Sequence, residues 1–197
     1  MREAARNFNE YPSLTRQRDT EMFALAYYNL GYIAFHQKDY AAAENRFRNF
    51  VRLEKGENPT ALADAYNRIG DCNLHARRFE EAKQCYAKAE NLNTPAGDYA
   101  VYQLALVYGM QKNHTEKVNM LNRLAAKYSN SPYAINALYE KGRSYVQSNN
   151  SGQAIATFRE LLAKYPESPV SRKAAAEIGL LYYQNDDYDR AIEAYKH

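Results

Sequence analysis

The chain has no tryptophan and, over 197 residues, only two cysteines, six prolines and eight glycines. The cysteines, Cys72 and Cys85, show neither CxxC spacing nor a histidine at ligand distance, so neither a zinc module nor a dithiol redox motif is indicated. No apolar run approaches the ~18 residues that a membrane-spanning helix needs. The N-terminal "MREAARNFNEYP" lacks the apolar stretch of a signal peptide. Direct membrane insertion is therefore not expected. Neither sign of charge dominates: 26 Lys and Arg stand against 23 Asp and Glu, a net charge of +3, and the basic residues are scattered without a block. That balance gives no electrostatic footprint for nucleic acid or for an anionic membrane surface.

Tyrosine, by contrast, is abundant, with 19 residues. The stretch "NSGQAIATFRELLAKYPESP" (150–169) and the final "DDYDRAIEAYKH" (186–197) share one pattern 37 residues apart. Ala154-Ile155 overlays Ala191-Ile192, and Phe158 overlays Tyr195. The same register, extended backwards, gives small residues at Gly31, Gly70, Ala105, Gly142 and Gly179, in steps of 39, 35, 37 and 37. Twelve residues after each lie Ala43, Ala82, Lys117, Ala154 and Ala191, and four further on lie Phe47, Tyr86, Leu121, Phe158 and Tyr195. Matching steps in independent series mark an internal repeat.

The punctuation follows the same period. Asn58-Pro59, Thr94-Pro95, Ser131-Pro132 and Ser168-Pro169 each place an N-cap type residue before a proline. Proline suits the first helical position, where its missing N–H costs nothing. Apolar residues then fall at helical spacing, as in Tyr27, Leu30, Gly31 and Ala34, or Leu104, Ala105 and Tyr108. A polar break follows ("HQKD", "HARR", "QKNH", "QSNN", "QNDD"), and a second amphipathic segment begins. Each unit reads as helix, turn, helix. The small residue lets the two helices approach, and the aromatic fills the space beside it. One such hairpin cannot bury its apolar face alone, but stacked neighbours can.

These residues resemble the tetratricopeptide repeat, whose pattern is an aromatic, Leu-Gly and Tyr, then Ala, Phe and Pro. "YYNLGYIAFHQKDYAAAENRF" and "YNRIGDCNLHARRFEEAKQCY" carry it, as does "YYQNDDYDRAIEAY"; the third unit departs most, with Lys117 for the small Ala and His114 for the turn aromatic. The resemblance implies an all-α fold, a right-handed superhelical solenoid of antiparallel helix pairs with about five repeats, truncated at both ends. The repeats are placed at about 21–57, 58–93, 94–130, 131–167 and 168–197, the last incomplete. Residues 1–20 are expected to be the end of a preceding repeat, a helix plus a joint, with Ala4 and Phe8 in the register of Ala43 and Phe47. The joints "YSNSP" and "YPESP" are similar to those of bacterial envelope proteins, such as the Tol–Pal-associated periplasmic protein and the barrel-assembly lipoprotein. That likeness favours a periplasmic or outer-membrane-associated location over a cytoplasmic one.

No catalytic or metal constellation is expected, and no cofactor. His36, His75 and His114 are evenly spaced, but their neighbours Gln37, Lys38, Arg77 and Arg78 supply no converging carboxylates. Glu80-Glu81 and Asp186-Asp187 open second helices, where negative charge suits the helix dipole. Cys72 and Cys85 fall on the two helices of one unit; buried free thiols are expected over a disulfide. No Gly-rich phosphate loop, serine nucleophile motif or HExxH is present.

The family resemblance implies instead a ligand groove lined by first helices. Carried onto this chain it names Tyr28, Tyr32, Phe35 and His36 in the first unit and Asp64, Asn67, Asp71 and His75 in the second. Tyr99, Tyr102 and Leu106 follow in the third, and Asn136, Tyr139, Arg143 and Gln147 in the fourth. Tyr28, Tyr32, Asn67, Asp71, Tyr102, Tyr139 and Arg143 are expected on one concave face. Aromatics with a few polar groups suit a peptide-binding surface, although tyrosines also pack between helices. The Lys and Asn clamp for a C-terminal carboxylate is not evident. The leading reading is a non-catalytic scaffold that binds a protein or an extended peptide. Self-association through stacked ends is the alternative, because "EMFALAYYNLGYIAF" is apolar nearly all round. Nucleic acid and enzymatic roles are disfavoured.

Overall fold

The computed structural model describes the backbone of residues 2–54 and 56–196, and the side chains of residues 19–54 and 56–196. Among the described residues there are ten α-helices and no strand. They are α1 (Arg2–His36), α2 (Tyr40–Leu53), α3 (Pro59–His75), α4 (Phe79–Asn91), α5 (Gly97–Met110), α6 (His114–Lys127), α7 (Ala134–Gln147), α8 (Ser151–Lys164), α9 (Pro169–Gln184) and α10 (Tyr188–Ala194). The chain divides into two compact units, residues 1–97 and 98–197. In both units, odd-numbered first helices alternate with even-numbered second helices. One helix, α1, runs from Arg2 through His36, where a helix and a joint were expected over residues 1–20. The side chains of Ala4 and Phe8 lie outside the described residues.

Four of the five hairpins close on the same contact. A Cβ built on Gly31 would lie 2.8 Å from the Phe47 ring, and one on Gly70 would lie 2.6 Å from the Tyr86 ring. At Gly142 the distance to the Phe158 ring is 2.3 Å, and at Gly179 the distance to the Tyr195 ring is 2.6 Å. Those separations are below any real carbon–carbon contact, so the rings occupy the space a side chain would take. In unit one, Phe47 and Phe50 of α2 join Ala65, Ile69 and Cys72 of α3 in a buried core. In unit two, Ala154, Phe158 and Leu161 of α8 do the same with Ala174, Ile178 and Leu181 of α9. A second cluster there joins Val101 and Ala105 of α5, Leu121 and Leu124 of α6 and Ala137 of α7.

The third hairpin solves its departure from the pattern by a compensating exchange. Lys117 stands where the other units have alanine, and it is buried. Opposite it on α5 is Gly109, in the register of Phe35, Leu74, Val146 and Tyr183; a Cβ there would lie 2.9 Å from the Lys117 Cδ. Large and small residues have changed places. The Lys117 ammonium then emerges beside α7 and donates to the Glu140 carboxylate, which satisfies the buried charge.

The turns are uniform as well. Lys38, Arg77, Lys112, Asn149 and Asp186 all have φ between 55° and 62°. Their spacing repeats that of the small-residue series. The next residue closes each turn by donating its N–H to a carbonyl five residues back: Asp39 to Ala34, Arg78 to Asn73, Asn113 to Tyr108, Asn150 to Tyr145 and Asp187 to Tyr182. This is the six-to-one bond of a Schellman turn. The residue that accepts the bend is not glycine at any of the five. The following helix is capped by Asp39, Asn113, Asn150 or Asp187, whose side chain accepts from the N–H three residues on.

The four Asx/Ser/Thr-Pro pairs split in two. Asn58-Pro59 and Ser168-Pro169 are N-cap and first helical residue, as the pattern predicts. After Thr94-Pro95 and Ser131-Pro132 the helix begins two residues later, at Gly97 and Ala134. There the first turn is tightened by i→i+3 bonds, Gly97 N–H to Thr94 and Ala134 N–H to Ser131. The Ser131 hydroxyl donates to Asp98 at 2.8 Å.

Two outcomes test this account. Gly142→Leu drives a branched side chain into the Phe158 ring and is expected to lower stability by about 1–3 kcal/mol in chemical denaturation. Arg77→Gly removes the left-handed strain of a side-chain-bearing residue, and is expected to raise stability by roughly 0.5–1 kcal/mol, read as a higher thermal midpoint.

Candidate functional site

In unit one the first-helix residues meet across α1 and α3. The Tyr28 hydroxyl donates to Asp64 Oδ2 at 2.7 Å, and the Tyr32 hydroxyl donates to the same oxygen. Tyr28 and Tyr32 touch edge to face, with ring centroids 5.2 Å apart. Arg68, one turn beyond Asp64, lies 2.7 Å from Asp71 Oδ2, and its guanidinium sits 5.6 Å from the centre of the Phe35 ring. Asp71 accepts a second bond from the Tyr86 hydroxyl at 2.8 Å. Tyr28, Tyr32, Phe35, Asp64 and Asp71 therefore form one linked group. Arg68, which the pattern did not single out, ties its two carboxylates together. Its place between Asp64 and Asp71 on one helix face was the signal available for it.

Not every expected residue belongs to a surface. Asn67 is 1 % exposed, and its Nδ2 donates to the Ala96 carbonyl at 3.0 Å. That bond anchors the segment before α5. Asp71 is buried too. His75, by contrast, is exposed at the end of α3 and stacks on Tyr40 with centroids 3.8 Å apart and planes 9° from parallel. His36 is exposed at the end of α1, its ring 6.2 Å from that of Tyr32.

Unit two repeats the theme with other partners. Tyr102 stacks on Tyr133 at 5.0 Å and 13°, and Tyr99 meets Tyr133 edge on at 5.7 Å. Tyr133, just ahead of α7, is a member the pattern missed. On α7 the Tyr139 hydroxyl donates to Glu177 of α9 at 3.1 Å, and Arg143 approaches the same carboxylate at 4.0 Å. Leu106 is half-buried on α5, whereas Asn136 and Gln147 are exposed on α7. Here too, a carboxylate on the next first helix holds the aromatic of the preceding one.

The electrostatics follow from that arrangement. Burial, and then the hydrogen bond to the Asp64 carboxylate, push the Tyr28 phenol from 10.0 up to about 12. Tyr32 is raised further by the same causes. Burial also raises Tyr102 and Tyr139, helped by the Glu140 and Glu177 charges respectively. Cys72 and Cys85 are buried free thiols. Burial pushes Cys72 up to about 12 and raises Cys85, which makes both poor nucleophiles. Among the described residues no three His, Cys, Asp or Glu side chains converge on a metal-sized site. Among the described residues, too, no helix is long and apolar enough to cross a membrane.

Hairpins locked by a glycine against a ring, with aromatic first-helix faces tied together by carboxylates, define a helical-repeat scaffold of the kind that typically serves protein–protein interaction. The chain belongs to the tetratricopeptide repeat family. One family model of that description matches residues 2–48 and 139–196, more than half of the chain. Two further models of the same description match residues 99–131 and 63–94. No curated protein matches the chain. Among solved structures, MamA 41-end from Desulfovibrio magneticus RS-1 superposes with a TM-score of 0.70 at 18% identity, covering 88% of this chain and 92% of that one. Pseudomonas aeruginosa pilF gives 0.69 at 17% identity, covering 90% and 76%. YrrB, described as a TPR protein with an unusual peptide-binding site, gives 0.66 at 16% identity, covering 92% and 87%. At such identities the likeness is one of fold. No enzyme family is indicated.

The raised phenols have a consequence at alkaline pH. The folded state favours the protonated form, so this contribution is fully present below the unfolded value of 10.0 and is lost as pH climbs through about 12. The thermal midpoint of the wild type is expected to fall more steeply above pH 10.0 than that of a Tyr28→Phe, Tyr32→Phe variant, which has no phenol there to ionise. Equal slopes would remove the Asp64 cluster from the account.

Proposed function

We propose that the first-helix faces of each unit bind an extended peptide segment of a protein partner. One observation carries the reading: half-buried tyrosines whose hydroxyls are fixed by a carboxylate on the next first helix, Tyr28 and Tyr32 by Asp64 and Tyr139 by Glu177. A ring held in place loses little rotamer freedom when a ligand lies against it, so its contact area is converted efficiently into affinity. Arg143 has a side chain 47% exposed beside Tyr139 and supplies a charged donor that orients the ligand. Asp64 and Glu177 keep a quarter of their side-chain surface exposed and accept from the ligand backbone. The "YSNSP" and "YPESP" joints support a partner within bacterial cell-envelope assembly.

The test is selection from a library of random linear peptides, followed by fluorescence polarisation on the recovered sequences. Binding is expected to weaken about tenfold or more in a Tyr139→Ala, Arg143→Ala variant, or in a Tyr28→Ala, Tyr32→Ala variant. Unchanged affinity in both variants, with helical content intact by circular dichroism, would place the site elsewhere.

A further inference from the structure

Between the second helices α6 and α8 of unit two lies a furrow with α7 as its floor, and it holds a cavity of about 210 Å³. The α7 residues that line it are Ala134, Ala137, Leu138 and Lys141. At about 100° per residue these four cluster on one side of the helix, and Asn136, Tyr139 and Arg143 fall on the opposite side. The cavity is therefore separate from the first-helix face. The repeat register shows why there is space here. In the register of Ala125, Ala134 and Leu138, unit one has Val51, Leu62 and Tyr66, and in that of Leu124 it has Phe50. Phe50 is buried, and Val51 and Tyr66 pack against the same core. Large side chains fill in unit one what smaller ones leave as a cavity in unit two.

Two polar groups have entered the same space. Lys141 stands in the register of Ile69 and Ile178, which are 1% and 4% exposed. It is half-buried and has no hydrogen bond or ion pair among the described residues. The Tyr128 hydroxyl, also at the cavity, is buried and has no hydrogen-bond partner among the described residues. Leaving such a group unpaired is costly. The Glu160 carboxylate at the cavity is already held by Lys164 at 2.6 Å. Two lysines against one glutamate leave the lining with one positive charge. The cavity thus combines apolar walls with a phenol and an ammonium that have hydrogens to donate, and it holds no uncommitted carboxylate.

We propose that this cavity binds a small apolar monocarboxylate, an acid whose body is one ring or a chain of about six carbons. An apolar cavity of about 150 Å³ accepts benzene. A volume of about 210 Å³ accommodates such a body with its carboxylate, and is too small for a stretch of peptide chain. The carboxylate accepts from the Tyr128 hydroxyl and the Lys141 ammonium, and the body lies against Leu124, Ala125 and Leu138. Charge-assisted bonds to the ammonium select the acid over a neutral molecule of the same shape. The site lies across α7 from Tyr139 and Arg143, so it stands independently of the peptide-binding reading.

Amide proton–nitrogen correlation NMR on the full chain is the test, with phenylacetate and hexanoate as probes and their neutral amides as controls. At least one acid is expected to shift the Tyr128, Leu138 and Lys141 amides saturably, with a Kd of about 1 mM or below. Its amide is expected to bind about tenfold more weakly. Ala125→Leu supplies the side chain that Leu162 carries one repeat on, and is expected to abolish binding. Lys141→Ile, the residue type at Ile178, is expected to erase the preference for acid over amide. The Tyr139→Ala, Arg143→Ala variant is expected to bind the acid like the wild type. No saturable shift with either acid up to about 10 mM would overturn the proposal. So would equal affinity for acid and amide, or binding that survives Ala125→Leu. Loss of binding in the Tyr139→Ala, Arg143→Ala variant would put the acid on the first-helix face instead, and would overturn it too.

Discussion

A glycine on one helix facing an aromatic ring on the next sets the geometry of four of the five hairpins. The ring lies where a Cβ would be, so the two helices approach closely at that point. Everything else is placed relative to that contact. The alanine at the Ala43, Ala82, Ala154 and Ala191 positions continues the close approach one turn towards the hairpin's end. The opposite side of the ring then contributes to the core shared with the next first helix, as Phe47 does beside Ile69 and Cys72. Because one residue pair fixes both the hairpin and the surface that receives its neighbour, the register of side chains across first helices is fixed too. That is why Tyr28 and Tyr32 meet Asp64, and why Tyr139 meets Glu177.

The polar groups between first helices serve the fold before they serve a ligand. In unit one, two tyrosines and an arginine converge on two carboxylates, with Tyr86 reaching in from α4. The tyrosine bonds join different helices, which hydrophobic packing alone would allow to slide by a turn, while Arg68 bridges the two carboxylates within α3. A groove built this way is preorganised: its aromatic faces are presented in fixed orientations, while Asp64 keeps part of its carboxylate accessible.

Much of this was legible in the sequence. The period, the hairpins and the glycine–aromatic pairing follow from side-chain size and spacing, which local sequence carries directly. What was not legible depended on contacts between residues about 30 apart. Asn67 has the residue type and helical position of a ligand contact, yet its amide goes to the Ala96 carbonyl, a backbone partner no pattern announces. The exposed His75 carries a stack on Tyr40 that its spacing did not announce. Thr94 and Ser131 look like the caps at Asn58 and Ser168, but the backbone there tightens first, and helix limits shift by two residues. The turns hid their geometry for the opposite reason: a left-handed residue usually advertises itself as glycine, and here lysine, arginine, asparagine and aspartate take that role. Residues 1–20 read as a helix with a joint, whereas the backbone runs from Arg2 as one helix.

The exchange in the third hairpin bears on how this chain can change over time. Gly109, Lys117 and Glu140 sit on three consecutive helices, and each is tolerable only with the others. Restoring alanine at Lys117 alone would strip Glu140 of its partner and open a void against Gly109. Restoring a large residue at Gly109 alone would collide with the lysine stem. The three positions are therefore an epistatic block, and the repeat that carries them cannot be shuffled, duplicated or replaced as a free module in the way its neighbours can. Within an otherwise interchangeable series, that block gives the third repeat a fixed address.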